Sequence, residues 1–158
     1  MVNYADESAE SLDEEFMHAA LDLATEAEAA GEVPVGAVIV LDGRIIGQGY
    51  NSPVSTHDPT SHAEVLAIRQ ASKALGNYRL TGSILYVTLE PCPMCAGAIV
   101  QARVARLVFG ARDLRFGGVR SKFRLADSDL LNHRVEVVEG ICAAECLERL
   151  QRFFARKR

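Results

Sequence analysis

Ser83-Ile84-Leu85-Tyr86-Val87-Thr88-Leu89-Glu90-Pro91-Cys92-Pro93-Met94-Cys95 changes character half-way along. Its first seven residues are mostly apolar and β-favouring, which predicts a strand from Ser83 to Leu89. Pro93 then suits the first turn of a helix, predicted from Pro93 to Arg103. Cys92 and Cys95 sit at that junction, where free N–H groups and the positive end of the helix dipole favour thiolates. A second junction of this kind lies upstream. There a loop holding Pro53 and Pro59 runs into Ser61-His62-Ala63-Glu64, which opens a helix predicted from His62 to Leu75 and ended by Gly76-Asn77.

The rest of the chain fits round these junctions. Phe16, Ala19, Ala20, Leu23 and Ala27 recur at helical spacing, so Asp13 to Ala30 reads as a helix stopped by Gly31. Ahead of it residues 1–12 read as a loose acidic N-terminus. Val35 to Leu41 is a near-continuous β-branched run, hence a buried strand. Asp42-Gly43 is a hairpin turn leading to an antiparallel partner, Arg44 to Tyr50. Further strands are predicted at Arg106 to Phe109 and Arg134 to Val138, with a closing helix at Ala143 to Ala155. Asp113 to Asn132 reads as irregular, with room for one short helix around Ala126 to Leu131. The order α-β-β-α-β-α-β-β-α predicts a mixed sheet covered by helices on both faces. With no repeat and no linker, residues 1–158 read as one domain.

At 49% apolar residues the composition is that of an ordinary globular protein. No apolar run approaches the roughly 18 residues that span a bilayer. The acidic start lacks the features of a secretory signal, so a cytoplasmic protein without a membrane partner is expected. In that reducing compartment Cys92 and Cys95 fit metal thiolates better than a disulfide. Cys142 and Cys146, one helical turn apart, read as small buried residues. The net charge of −4 hides an asymmetry. Residues 1–32 hold ten acids and no Lys or Arg, whereas residues 101–124 hold seven bases against Asp113 alone. The chain closes on Arg152, Arg156, Lys157 and Arg158. Local basic patches, not net charge, attract phosphate.

His62, Cys92 and Cys95 make three zinc ligands, and Glu64 remains to carry protons. Structural zinc closes with four protein ligands, while catalytic zinc keeps three and leaves a place for water. The count predicts hydrolysis, with zinc lowering the pKa of water and Glu64 moving its proton. A Cys-x-x-Cys pair opening a helix also suits a redox protein, but that reading gives His62 and Glu64 nothing to do. Asn51, in a Tyr-Asn-Ser-Pro turn, is either turn backbone or an amide for a purine edge. Val33 and Pro34 could wall a slot for a flat base. Gly47 and Gly49 precede no helix and are not read as a phosphate loop.

The joint pattern H-x-E and P-C-x-x-C is the known signature of zinc nucleobase deaminases. From about Phe16 to the C-terminus the chain resembles the bacterial tRNA-specific adenosine deaminases of the cytidine deaminase-like superfamily. The resemblance rests on Glu32-Val33-Pro34-Val35-Gly36-Ala37-Val38, on Asp58-Pro59-Thr60-Ser61-His62-Ala63-Glu64 and on the Leu85 to Ala98 segment. It continues in Asn77-Tyr78-Arg79-Leu80, Gly110-Ala111-Arg112-Asp113 and Asn132-His133-Arg134-Val135, which look like the tRNA branch in particular. It implies a three-layer α/β/α cytidine deaminase-like fold with a five-stranded mixed sheet, a homodimer, and one Zn2+ per subunit. The implied substrate is a tRNA anticodon stem-loop, whose wobble adenosine becomes inosine with loss of ammonia. By the same resemblance Asn51, Val33 and Leu89 hold the flipped base, while Arg112, Asp113 and the basic C-terminus meet the anticodon loop. Leu114 to Arg124 departs from the family, being more basic and aromatic. The zinc segments are shared with guanine and cytosine deaminases, so a free-base or nucleoside deaminase is the alternative.

Overall fold

A computed structural model of the chain describes residues 4–157. The elements are α1 (Tyr4–Ala29), β1 (Gly36–Leu41), β2 (Arg44–Tyr50), α2 (Pro53–Thr56), α3 (Ala63–Leu75), β3 (Ile84–Leu89), α4 (Pro93–Gln101), β4 (Arg106–Ala111), β5 (Glu136–Glu139) and α5 (Ala143–Arg156). The five strands form one sheet in the order β2-β1-β3-β4-β5. β1 runs antiparallel to β2 and β3, whereas β3, β4 and β5 run parallel. The sheet is therefore mixed, as expected.

The three inner strands β1, β3 and β4 bury both faces, which explains their near-continuous apolar runs, whereas the edge strands β2 and β5 stay partly exposed. Ala37, Ile39, Leu85, Val87, Leu107 and Phe109 pack with Ala63, Ala67 and Ala71 of α3 and with Ile99 and Val100 of α4. Val38, Val40, Tyr86 and Val108 face the other way, against Met17, Ala20 and Leu21 of α1 and Cys146 of α5. Burying the alternate sets on opposite sides makes the three-layer α/β/α arrangement. The β1–β2 turn has Asp42 at φ 50° and Gly43 at φ 75°, the paired positive angles that suit a two-residue hairpin. Gly47 serves packing: a Cβ there would lie 2.7 Å from the Ala71 backbone nitrogen of α3. Its bare backbone lets α3 settle directly on β2.

Three local expectations change. α1 starts at Tyr4, nine residues before the predicted Asp13, so the stretch expected to be loose is helical from there; residues 1–3 lie outside the described residues. Residues 7–12 are all exposed, so apolar periodicity could not register these turns, but Ala and early acidic residues favour a helix N-terminus. The predicted proline loop holds the short α2. No helix forms at 126–131. Asp127 is engaged by Arg120 and Arg124, and the Ser128 hydroxyl accepts the Leu130 N–H, so side chains take the place of helical bonding. No helix among the described residues is long and apolar enough to cross a membrane.

Candidate active site

The site lies where α3 and α4 both begin. His62 is the N-cap residue of α3 and Cys92 that of α4, each with extended backbone (ψ 151° and 171°), and neither side chain caps its own helix. The imidazole and the sulfur turn towards each other instead. His62 Nδ1 lies 3.6 Å from Cys92 Sγ and 3.5 Å from Cys95 Sγ. All three donor atoms fall within 4.8 Å of one another. Tetrahedral zinc, with Zn–S about 2.3 Å and Zn–N about 2.1 Å, sets its nitrogen and sulfur donors roughly 3.5 Å apart. The trio is thus spaced and composed to fit zinc, with one coordination position left over.

Protons are unevenly divided here. The bond from Cys95 holds the Cys92 thiol down at about 4, with help from His62 and against burial. The same bond and burial push Cys95 upward, and the Cys92 bond raises His62. Glu64 is 4% exposed, and burial raises its carboxyl above the usual range. Residues two apart on a regular helix face different ways, so His62 and Glu64 could not both reach one metal-bound water from such a helix. The extended backbone of His62 removes that obstacle, because only Glu64 is in the helix proper, and both line one cavity.

That cavity, of about 370 Å³, also meets Val33, Val35, Asn51, Leu89, Glu90, Pro93, Asp113 and Phe116. The predicted Asn51, Val33 and Leu89 are therefore all brought to it. A neighbouring cavity of about 720 Å³ shares Val33, Leu89, Asp113 and Phe116 and continues past Arg112, Arg115 and Phe154. Arg112 lies in this second space, where its guanidinium binds Glu139 at 2.9 and 2.8 Å. The Asp113 carboxylate accepts the N–H groups of Arg115 and Phe116 and so shapes its own turn.

The basic segment proves divided. Arg106 pairs with Asp13, Arg112 with Glu139 and Arg120 with Asp127. Arg152 and Arg156 meet Glu28 of α1, so part of the acidic N-terminal charge is matched by the C-terminal helix; Arg158 lies outside the described residues. Arg115 and Lys122 remain exposed. Sequence reasoning missed Glu90 and Phe116. The only signal for Glu90 was an acid directly after a mostly apolar strand. For Phe116 it was an aromatic between Arg115 and two glycines.

Residues 10–111 match the family model of the cytidine and deoxycytidylate deaminase zinc-binding region. A tRNA-specific adenosine deaminase of Haemophilus influenzae is 52% identical over 92% of this chain and 85% of its own. The chain belongs to the tRNA-specific adenosine deaminase family. A solved structure from studies of A-to-I editing by tRNA:A34 deaminases at the wobble position is 46% identical, with a TM-score of 0.83 over 86% of this chain and 99% of the other. The family's fold is shared more widely. Guanine deaminase from Nitrosomonas europaea superposes with a TM-score of 0.79 over 90% of this chain and 84% of its own, at 25% identity.

Proposed function

We propose that this protein hydrolyses the wobble adenosine of a tRNA anticodon to inosine and ammonia, with one zinc ion held by His62, Cys92 and Cys95. The observation that carries the reading is the single cavity lined by His62, Cys92 and Glu64 together with Asn51, Val33 and Leu89. Zinc bound at the trio supplies Lewis acidity and lowers the pKa of water towards about 7. Val33 and Leu89 grip the two faces of a flat base drawn out of its stack, and the Asn51 amide hydrogen-bonds its edge.

Glu64 moves the protons. It removes one from the water that adds to C6 of adenine and delivers it to N1. It then takes the proton of the C6 hydroxyl, which becomes the carbonyl, and passes it to the departing amine as the C6–N bond breaks, so that adenosine and water become inosine and ammonia. Burial lifts the Glu64 carboxyl above its ordinary range, which eases its taking up a proton before it gives that proton on. Arg115, which lines the second cavity, and Lys122 on the same loop are both exposed and attract the RNA backbone. A homodimer is part of this reading. A cytoplasmic location is part of the same reading.

An inosine assay tests this on an anticodon stem-loop with adenosine at the wobble position, beside free guanine, cytosine and adenosine. Inosine from the stem-loop, lost in Glu64→Ala protein that still carries zinc, is the expected result. Turnover of a free base with none on RNA overturns the tRNA reading.

A further inference from the structure

The stretch from Asp113 to Phe123 has no regular secondary structure, yet it is gathered onto one side chain. Glu90 Oε1 accepts the Asp113 N–H at 3.1 Å and the Ser121 hydroxyl at 2.5 Å. Glu90 Oε2 accepts the N–H groups of Val119 (3.2 Å), Arg120 (2.8 Å) and Ser121 (2.9 Å). Five donors thus converge on a carboxylate that is 2% exposed. Burial disfavours that charge, but the Ser121, Arg120 and Asp113 bonds hold the carboxyl below its usual range.

The loop's sequence is cut to fit this carboxylate. A methyl group at Gly117 would fall on the Glu90 carboxylate itself. At Gly118 it would lie 2.7 Å from the Pro93 nitrogen, and the Gly118 N–H donates to Pro91 at 2.7 Å. The loop is wrapped tightly round Glu90 to Pro93. What it carries outward is Phe116, with the Arg115 guanidinium 5.6 Å above its ring. Phe116 and Asp113 form a wall common to the two cavities. A buried charge at the end of a strand is costly, and an apolar residue would serve the core as well. Its effect here is to order backbone that has no ladder or helix of its own.

We propose that Glu90 is a positioning residue for substrate capture: it orders residues 113–121 as the wall of the target cavity, so that Phe116 meets the RNA, while Glu64 moves the protons. The proposal rests on the function given above. A purely structural Glu90 would affect stability without separating binding from turnover.

The test uses the zinc-loaded full chain and the variants Glu90→Gln, Ser121→Ala and Phe116→Ala. Zinc content, amide hydrogen exchange of residues 113–121, and kcat and KM on the stem-loop are measured for each. Glu90→Gln places an amide N–H2 against donors. It is expected to keep its zinc, to exchange residues 119–121 at least about tenfold faster and to raise KM about tenfold, with kcat held within about threefold. Phe116→Ala is expected to raise KM with no change in exchange. Ser121→Ala, which removes one hydroxyl, gives the Glu90→Gln effects in smaller measure and decides the matter if Glu90→Gln does not fold. Unchanged exchange, or a fall in kcat at constant KM, overturns the proposal. A wild-type chain that leaves the stem-loop unconverted overturns the function reading instead, and the exchange data then judge the ordering of the loop alone.

Discussion

The Tyr86 hydroxyl donates to the Asp13 carboxylate at 2.8 Å, joining the middle of the sheet to α1 across 73 positions of sequence. Arg106 of the neighbouring strand binds the same carboxylate through both terminal nitrogens, at 2.8 and 2.7 Å. Asp13 is 5% exposed, so deleting it leaves the Tyr86 phenol without its acceptor and the Arg106 guanidinium with only the exposed Glu136 carboxylate, 3.9 Å away. Asp13→Ala is expected to destabilise the fold by about 3 kcal/mol. Urea unfolding of zinc-saturated protein measures this as a lower midpoint.

The same cluster makes stability depend on acid. Burial alone would raise the Asp13 carboxyl, but the Arg106 and Tyr86 bonds and the Arg106 charge leave it below the ordinary aspartate value. A folded-state pKa below the unfolded one means the contribution is complete above about pH 4 and disappears as pH falls through the folded value. Wild type should therefore lose stability more steeply than Asp13→Ala below about pH 4. Parallel slopes for the two proteins in that range would show that Asp13 is not the linked group.

Much of this architecture was legible because apolar period and turn chemistry agreed. Val35 to Leu41 and Asp42-Gly43 located the first hairpin, and the two helix-opening junctions located the site before its geometry was known. Three kinds of feature escaped. The first turns of α1 bury nothing at residues 7–12, so no pattern marked them. Ion pairing between distant residues, as in Arg112–Glu139 and Arg120–Asp127, cannot be read from a local charge count, and it reduces the apparent basic patch. The role of Glu90 depends on backbone donors gathered from residues 113 to 121, which leave no periodic trace.

Removal of the metal should abolish deamination. Dialysis of the protein against a chelator is expected to leave the chain inactive, and Zn2+ to restore it. Cys92→Ser should reduce zinc from one ion per chain to below about a tenth of that, because a hydroxyl is a poor substitute for a thiolate donor. Elemental analysis alongside the inosine assay makes the measurement. Full activity in protein stripped of metal would exclude the zinc hydrolase, and thiol–disulfide exchange by Cys92 and Cys95 would favour the redox reading set aside above.

Charges on the 113–124 loop should separate by whether a carboxylate already answers them. Among the described residues Arg115 and Lys122 have no ion pair, and both are exposed, whereas Arg120 is held by Asp127 at 3.0 Å through each terminal nitrogen. An exposed cation that contacts a single-stranded phosphate releases a counterion on binding, so each one removed lowers the salt slope of log K by roughly 0.7. Arg115→Gln with Lys122→Gln is therefore expected to weaken stem-loop binding at low salt and to flatten its salt dependence, leaving thermal stability within about 0.5 kcal/mol. Arg120→Gln should do the reverse, lowering stability by exposing Asp127 to no partner but Arg124, with little change in slope. Binding titrations at several salt concentrations distinguish the two. Equal slopes in wild type and the double variant would remove Arg115 and Lys122 from the RNA-binding surface.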